Sequence, residues 1–222
     1  MKVRVPKKLD IFNDTFQLTR KDIEAQVLGD LGKYRKLYQD KYDKSPSSVL
    51  DVDNFIQVMW GVNVVFEEIE QSDNNHDTLG YFDPEKNTVY VDSLCDNQKR
   101  ISFTIAHEAG HLSLHQYMFQ RGDDGLIGGW RKREANKDRK KEQANTRREW
   151  QANVYAGTLL APAIEVTSFV KELGVSALLG ESVDLNRHFE SFENRFGLSR
   201  QALEIRLREI GISTSNNRYP VS

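Results

Sequence analysis

Between Ile101 and His115 the chain reads ISFTIAHEAGHLSLH, which places three of its five histidines and a glutamate within fifteen residues. Ile101, Ile105, Ala109 and Leu112 recur at i, i+4, i+8 and i+11, the stripe of an amphipathic helix, with Asp96 just upstream as a possible cap. On such a helix His107 and His111 stand one turn apart, about 40° from each other around the axis. One helix must therefore bury an apolar stripe and at the same time present two imidazoles to a single point.

Zinc suits that pairing, because it accepts neutral imidazole nitrogens at about 2.0–2.1 Å in a tetrahedral arrangement. Glu108, directly after the first histidine, stands where the general base of an H-E-x-x-H site stands, able to take a proton from a metal-bound water and pass it to a leaving amine. Ala109 and Gly110 are small and let another segment come close. His115 continues the series, but it lies about 80° around and about 12 Å along the helix from His107, too far to share one ion, and reads as a helix-end residue.

A zinc site needs a third protein ligand, expected downstream on a separate helix with a companion that orients the histidines. The stretch EWQANVYAGTLLAP, 149–162, offers Glu149 as that ligand. Asn153, one turn on, can accept a hydrogen bond from the non-ligating nitrogen of a histidine. Glu134, Glu142 and Glu165 compete for the ligand role. Tyr155 and His188 are candidates to enter the cleft as oxyanion stabilisers, whereas His76 has no partner visible in the sequence.

The rest of the chain reads as alternating short elements. Ile23, Val27, Leu31, Tyr34, Leu37 and Tyr38 predict a helix after Thr19, stopped by SPSS at 45–48, and Val52 to Trp60 predicts a second helix ending at Gly61. Val62 to Phe66 reads as a strand, and Leu79–Phe82 and Thr88–Val91 flank DPEKN as a hairpin. Helical character resumes near Thr146 and breaks at Ala161-Pro162, and three short helical patterns follow at about 163–172, 184–196 and 199–210. We divide the chain into an N-terminal segment and helix, 1–48, a catalytic core, 49–162, and a C-terminal helical part, 163–215.

Composition narrows the setting. The single cysteine, Cys95, cannot form an internal disulfide, and no apolar run resembles a signal peptide or a membrane span, so a cytoplasmic protein is expected. A net charge of −2 conceals a basic stretch, 131–148, with nine Lys or Arg against three acidic residues. That stretch reads as a solvated linker, a docking surface for an acidic protein, or a nucleic-acid contact.

Two function classes follow. One is a zinc endopeptidase holding one Zn2+ ion. The other is a DNA-binding or transcription-regulating protein with a structural metal: in FGLSRQALEIRLREIG, 196–211, Ser199 caps a helix whose Leu203, Leu207 and Ile210 share a face, leaving Arg200, Gln201, Glu204 and Arg208 for a DNA groove.

The run GYFDPEKNTVYVD followed by QKRISFTIAHEAGHLSLH and then EWQANVYAGTLLAP resembles the ImmA/IrrE family of metallopeptidases over roughly residues 50–212. The resemblance implies an α+β, zincin-like core with a small antiparallel sheet and a C-terminal, helix-turn-helix-like extension. It implies His107, His111 and Glu149 as zinc ligands and Glu108 as catalytic base. It also implies, as substrate, a helix-turn-helix transcriptional repressor whose cleavage relieves repression of stress, phage or mobile-element genes. Two departures stand out: Gln151 where many members carry a second glutamate, and Ala161 where many carry methionine.

Overall fold

The computed structural model describes residues 9–10, 15–47, 49–69, 79–115, 139–175 and 181–215. His76, Glu134 and the basic residues 131–138 lie outside them. Two short strands, β1 (Leu9–Asp10) and β2 (Thr15–Phe16), pair antiparallel and lead to α1 (Arg20–Tyr42). Thr19 caps α1 in a reciprocal box with Asp22, and Ile23, Val27, Leu31 and Tyr34 form its buried stripe. Asp51 caps α2 (Val52–Trp60), which closes on Gly61 in the left-handed region, φ 71°, where a Cβ would be strained.

Three strands form the main sheet, in the order β3 (Asn63–Glu67), β5 (Thr88–Asp92), β4 (Gly80–Asp83). The expected hairpin is present, with Phe82 opposite Val89. The sheet as a whole is mixed rather than antiparallel. The hairpin reverses the chain between β4 and β5, so β5 runs in the same direction as β3 and pairs with it in parallel, Val64 opposite Val89.

Across β4 and β5 lies α3 (Gln98–Leu114), the histidine helix. Its cap is Asn97, not Asp96: the Asn97 side chain accepts the backbone N–H groups of Lys99 and Arg100. The next helix, α4 (Arg139–Leu160), starts earlier than the apolar pattern suggested and incorporates the second half of the basic stretch. Packing outweighs patterning here, because α4 lies against both α3 and α1. Helices α3 and α4 come close at Gly110, where an added Cβ would stand 3.0 Å from the Cα of Ala152 and 3.1 Å from its carbonyl oxygen and from the Cβ of Tyr155.

After Pro162 come α5 (Ala163–Glu172), β6 (Val183–Asp184), α6 (Leu185–Phe196), α7 (Arg200–Glu209) and β7 (Thr214–Ser215), with β6 and β7 paired in parallel. These elements share one hydrophobic cluster with the rest, which runs from Leu18 through Ile105, Leu159 and Phe192 to Leu207 and Ile212. Helices beside a small sheet make the protein α+β.

Arg206 anchors α7. Only 1% exposed, it donates from Nε to the carbonyl of Ala161 at 2.8 Å and from Nη1 to Glu24 at 3.1 Å and Glu209 at 3.3 Å. Arg200, a proposed groove-facing residue, instead pairs with Glu204 at 3.3 Å and Asn186 at 2.6 Å. No helix among the described residues is long and apolar enough to cross a membrane.

The Gly110 contact meets backbone, which cannot swing aside. We expect Gly110→Ala to destabilise the protein by about 1–2 kcal/mol, because overpacking outweighs the gain of about 1 kcal/mol in helix propensity. Gly157, on the same α4 helix, has nothing within 4 Å of a built Cβ, so Gly157→Ala should stabilise by about 0.5–1 kcal/mol. Denaturant unfolding of the two variants checks both signs; equal shifts would mean that the helices are not held at this contact.

Candidate metal centre

The interface of α3 and α4 assembles the cluster. Nε2 of His107 and Nε2 of His111 face each other at 3.0 Å, with the rings edge to face. Glu149 reaches across from α4, its oxygens 3.2 Å from His107 Nε2 and 3.7 Å from His111 Nε2. Three ligands each about 2.05 Å from a tetrahedral ion stand about 3.3 Å apart, so these separations fit one zinc-sized cation. This trio is the group of potential metal ligands that the described residues bring within 4.8 Å of one another.

The site is closed below and open on one side. The His111 side chain is fully buried and that of His107 is 17% exposed, whereas Glu149 is 47% exposed. Asn153 stands with Oδ1 3.0 Å from His107 Nδ1. A carbonyl oxygen only accepts, so neutral His107 carries its proton on Nδ1 and turns its Nε2 lone pair to the cluster.

Electrostatics favour positive charge at this point. Burial works against a charged His107, yet the hydrogen bond and charge of Glu149, together with the charge of Glu108, lift its pKa above the ordinary histidine value. His111 moves the other way: burial, reinforced by the charge of His107, holds its pKa far down. Two imidazole nitrogens in contact cannot both be protonated, so a single cation is what the pair accommodates.

Glu108 is fully enclosed. Burial raises its pKa to about 7, the charge of His107 lowers it and that of Glu149 raises it, while the Phe82 backbone supplies a hydrogen bond. Its Oε2 is buried with no hydrogen-bond partner among the described residues. An orphaned carboxylate oxygen beside a donor set of two histidines and a glutamate is an arrangement that a cation and its water would complete.

Two candidates from the sequence stand apart from the cluster. The fully buried Tyr155 hydroxyl donates to Asp30 Oδ2 at 2.7 Å. Ser113 donates to the same oxygen at 2.5 Å and Gln26 to Oδ1 at 3.1 Å, so Asp30 ties α1 to α3 and α4. His188 lies half-buried on α6 and takes no part in the cluster. Of the rival ligands, Glu165 sits on α5, 3.3 Å from Arg35, and the Glu142 side chain is not among those described.

His115 is more than a helix end. Fully enclosed at the C-cap of α3, it contacts His111 Nδ1 through its own Nδ1 at 2.9 Å and Gln151 Oε1 through Nε2 at 2.8 Å. Burial pulls its pKa down to about 4, partly offset by the Gln151 bond. Its i+4 spacing from His111 was visible in the sequence, but its partner on α4 was not.

The family model described as the IrrE N-terminal-like domain, Peptidase_M78, matches residues 60–208. None of the curated proteins matches the chain. Among solved structures, a Mycobacterium tuberculosis transcriptional regulator is similar with a TM-score of 0.50 and 15% identity, over 93% of this chain and 50% of that one. The chain thus spans half the length of that regulator, and the likeness concerns the fold.

The raised pKa of Glu108 has a measurable cost. A carboxyl that keeps its proton longer in the folded chain than in the unfolded one supports folding below about pH 4.5, and that support is lost as pH rises to about 7. In metal-free protein, Glu108→Gln should therefore raise stability by about 2–3 kcal/mol at pH 8 and leave it nearly unchanged at pH 4. Unfolding curves at the two pH values test this, and a gain of equal size at both would show that Glu108 is not buried as charge.

Proposed function

The chain belongs to the IrrE N-terminal-like domain family of peptidases, and from that membership and the geometry of the cluster we propose that it is a zinc-dependent endopeptidase acting on a partner protein. The observation that carries this reading is the convergence of His107, His111 and Glu149 beside the buried carboxyl of Glu108. His107, His111 and Glu149 would hold one zinc ion, which when bound supplies Lewis acidity towards a peptide carbonyl and acidifies water.

The other steps fall to side chains of this protein. Glu108, with a pKa near neutrality, accepts the proton of the attacking water and returns it to the leaving amine. The Phe82 backbone holds the carboxyl in place, and the unpartnered Oε2 is the atom that carries the proton. Asn153 keeps His107 turned with its lone pair inward. The exposed flank at Glu149 is the side from which substrate enters.

We take the substrate to be a helix-turn-helix transcriptional repressor, whose cleavage relieves repression. That choice rests on the family resemblance, and a fold shared with a transcriptional regulator is in keeping with it. The competing reading, DNA binding by α6 and α7, loses Arg206 to burial and Arg200 to its pair with Glu204, and the exposed Arg187, Arg195 and Arg208 share these helices with Glu190, Glu193 and Glu204.

Metal analysis of purified protein should find about one zinc per chain, lost in His107→Ala and in Glu149→Ala. Glu108→Gln should keep zinc but lose at least about a hundredfold in cleavage of a candidate repressor. Full activity in that variant would sink the mechanism, and zinc retained in Glu149→Ala would remove Glu149 from the ligand set.

A further inference from the structure

Building on the reading of the cluster as a metal site, we infer that His115 and Gln151 are positioning residues that set the tautomer of His111, so that its Nε2 keeps a lone pair directed at His107 and Glu149. The inference rests on a buried line of four atoms: His111 Nδ1 to His115 Nδ1 at 2.9 Å, and His115 Nε2 to Gln151 Oε1 at 2.8 Å. All three side chains are enclosed, so no water replaces a missing partner.

The direction of each hydrogen bond follows from the end of the line. Gln151 presents a carbonyl oxygen, which only accepts, so His115 Nε2 carries a proton. A neutral imidazole carries one proton, so His115 Nδ1 is an acceptor, and the proton between the two Nδ1 atoms belongs to His111. His111 has then committed its only proton away from the cluster, and Nε2 is bare. Turning the Gln151 carboxamide over would reverse every bond and leave an N–H on His111 Nε2, aimed at His107 and unable to coordinate.

Asn153 performs the same service for His107 directly. His111 needs an intermediary because its Nδ1 points towards the C-terminal end of α3, where the residue one turn on is His115. Two carboxamides of α4, Gln151 and Asn153, thereby fix both histidines of α3 in the ligating form. A partner of this kind typically changes metal affinity about 10- to 100-fold.

Side-chain 1H–15N correlation spectra of the metal-free, full-length protein report the tautomers without any variant. His111 should appear protonated on Nδ1 and His115 on Nε2; His111 protonated on Nε2 would overturn the inference. Zinc affinity, read by competition with a chromophoric chelator, should fall about 10-fold in Gln151→Leu. It should return to within about 2-fold of the parent in Gln151→Glu at a pH where the carboxylate is ionised and accepts from His115 Nε2 as the carboxamide oxygen does. Gln151→Leu that folds and binds zinc as tightly as the parent would likewise overturn the inference. If the parent chain binds no zinc while the two tautomers are as stated, the metal reading fails and the tautomer assignment stands.

Discussion

The contact on which the site depends is the approach of α3 to α4 at Gly110 and Ala152. At that separation short side chains from the two helices meet head to head, so Glu149 reaches both histidines, Asn153 reaches His107 and Gln151 reaches His115. Carboxylate and carboxamide side chains of this length cannot follow if the helices part by more than about an ångström, since a hydrogen bond weakens steeply beyond its usual range. The glycine acts through what it lacks. Any Cβ at position 110 would displace α4 and with it every group that α4 contributes.

Two buried polar networks lie among α1, α3 and α4. Asp30, Ser113, Gln26 and Tyr155 form one network, and His111, His115 and Gln151 form another. Buried groups of this kind destabilise a fold unless each finds a partner. Here most partners come from a different helix, so the polar groups specify the register of α1, α3 and α4 as well as their proximity. Glu108 keeps one buried oxygen unpaired, as Thr158 does its hydroxyl and Arg206 its Nη2, and burial raises the Glu108 pKa to about 7.

The C-terminal helices belong to the same packed body. Arg206 joins α7 to the end of α4 and to α1, and Phe192, Phe196, Leu203 and Leu207 enter the common cluster. Their helix-turn-helix appearance in sequence came from a left-handed Gly197 and the Ser199 cap, which any short α–α corner uses. Of the basic side chains on these two helices, Arg206 is buried and Arg200 is paired with Glu204, while Arg187, Arg195 and Arg208 are exposed.

Much was legible from local signals. The capping residues Thr19 and Ser199, the stop at Gly61, the hairpin around DPEKN and the i, i+4 pairing of His107 and His111 all follow from interactions within a few residues, and the sequence states them directly. Glu149 and Asn153 were accessible because their one-turn spacing matched the chemistry a second helix had to supply. The sequence by itself thus determined which side chains could bind a cation and which helices would carry them. Only the tertiary structure decided that the sheet is mixed, that Tyr155 turns away to Asp30, and that His115 is tied to Gln151 rather than idle at a helix end. These outcomes depend on which faces of α1, α3 and α4 meet, and a helix's own residues set its periodicity but not its neighbour's register.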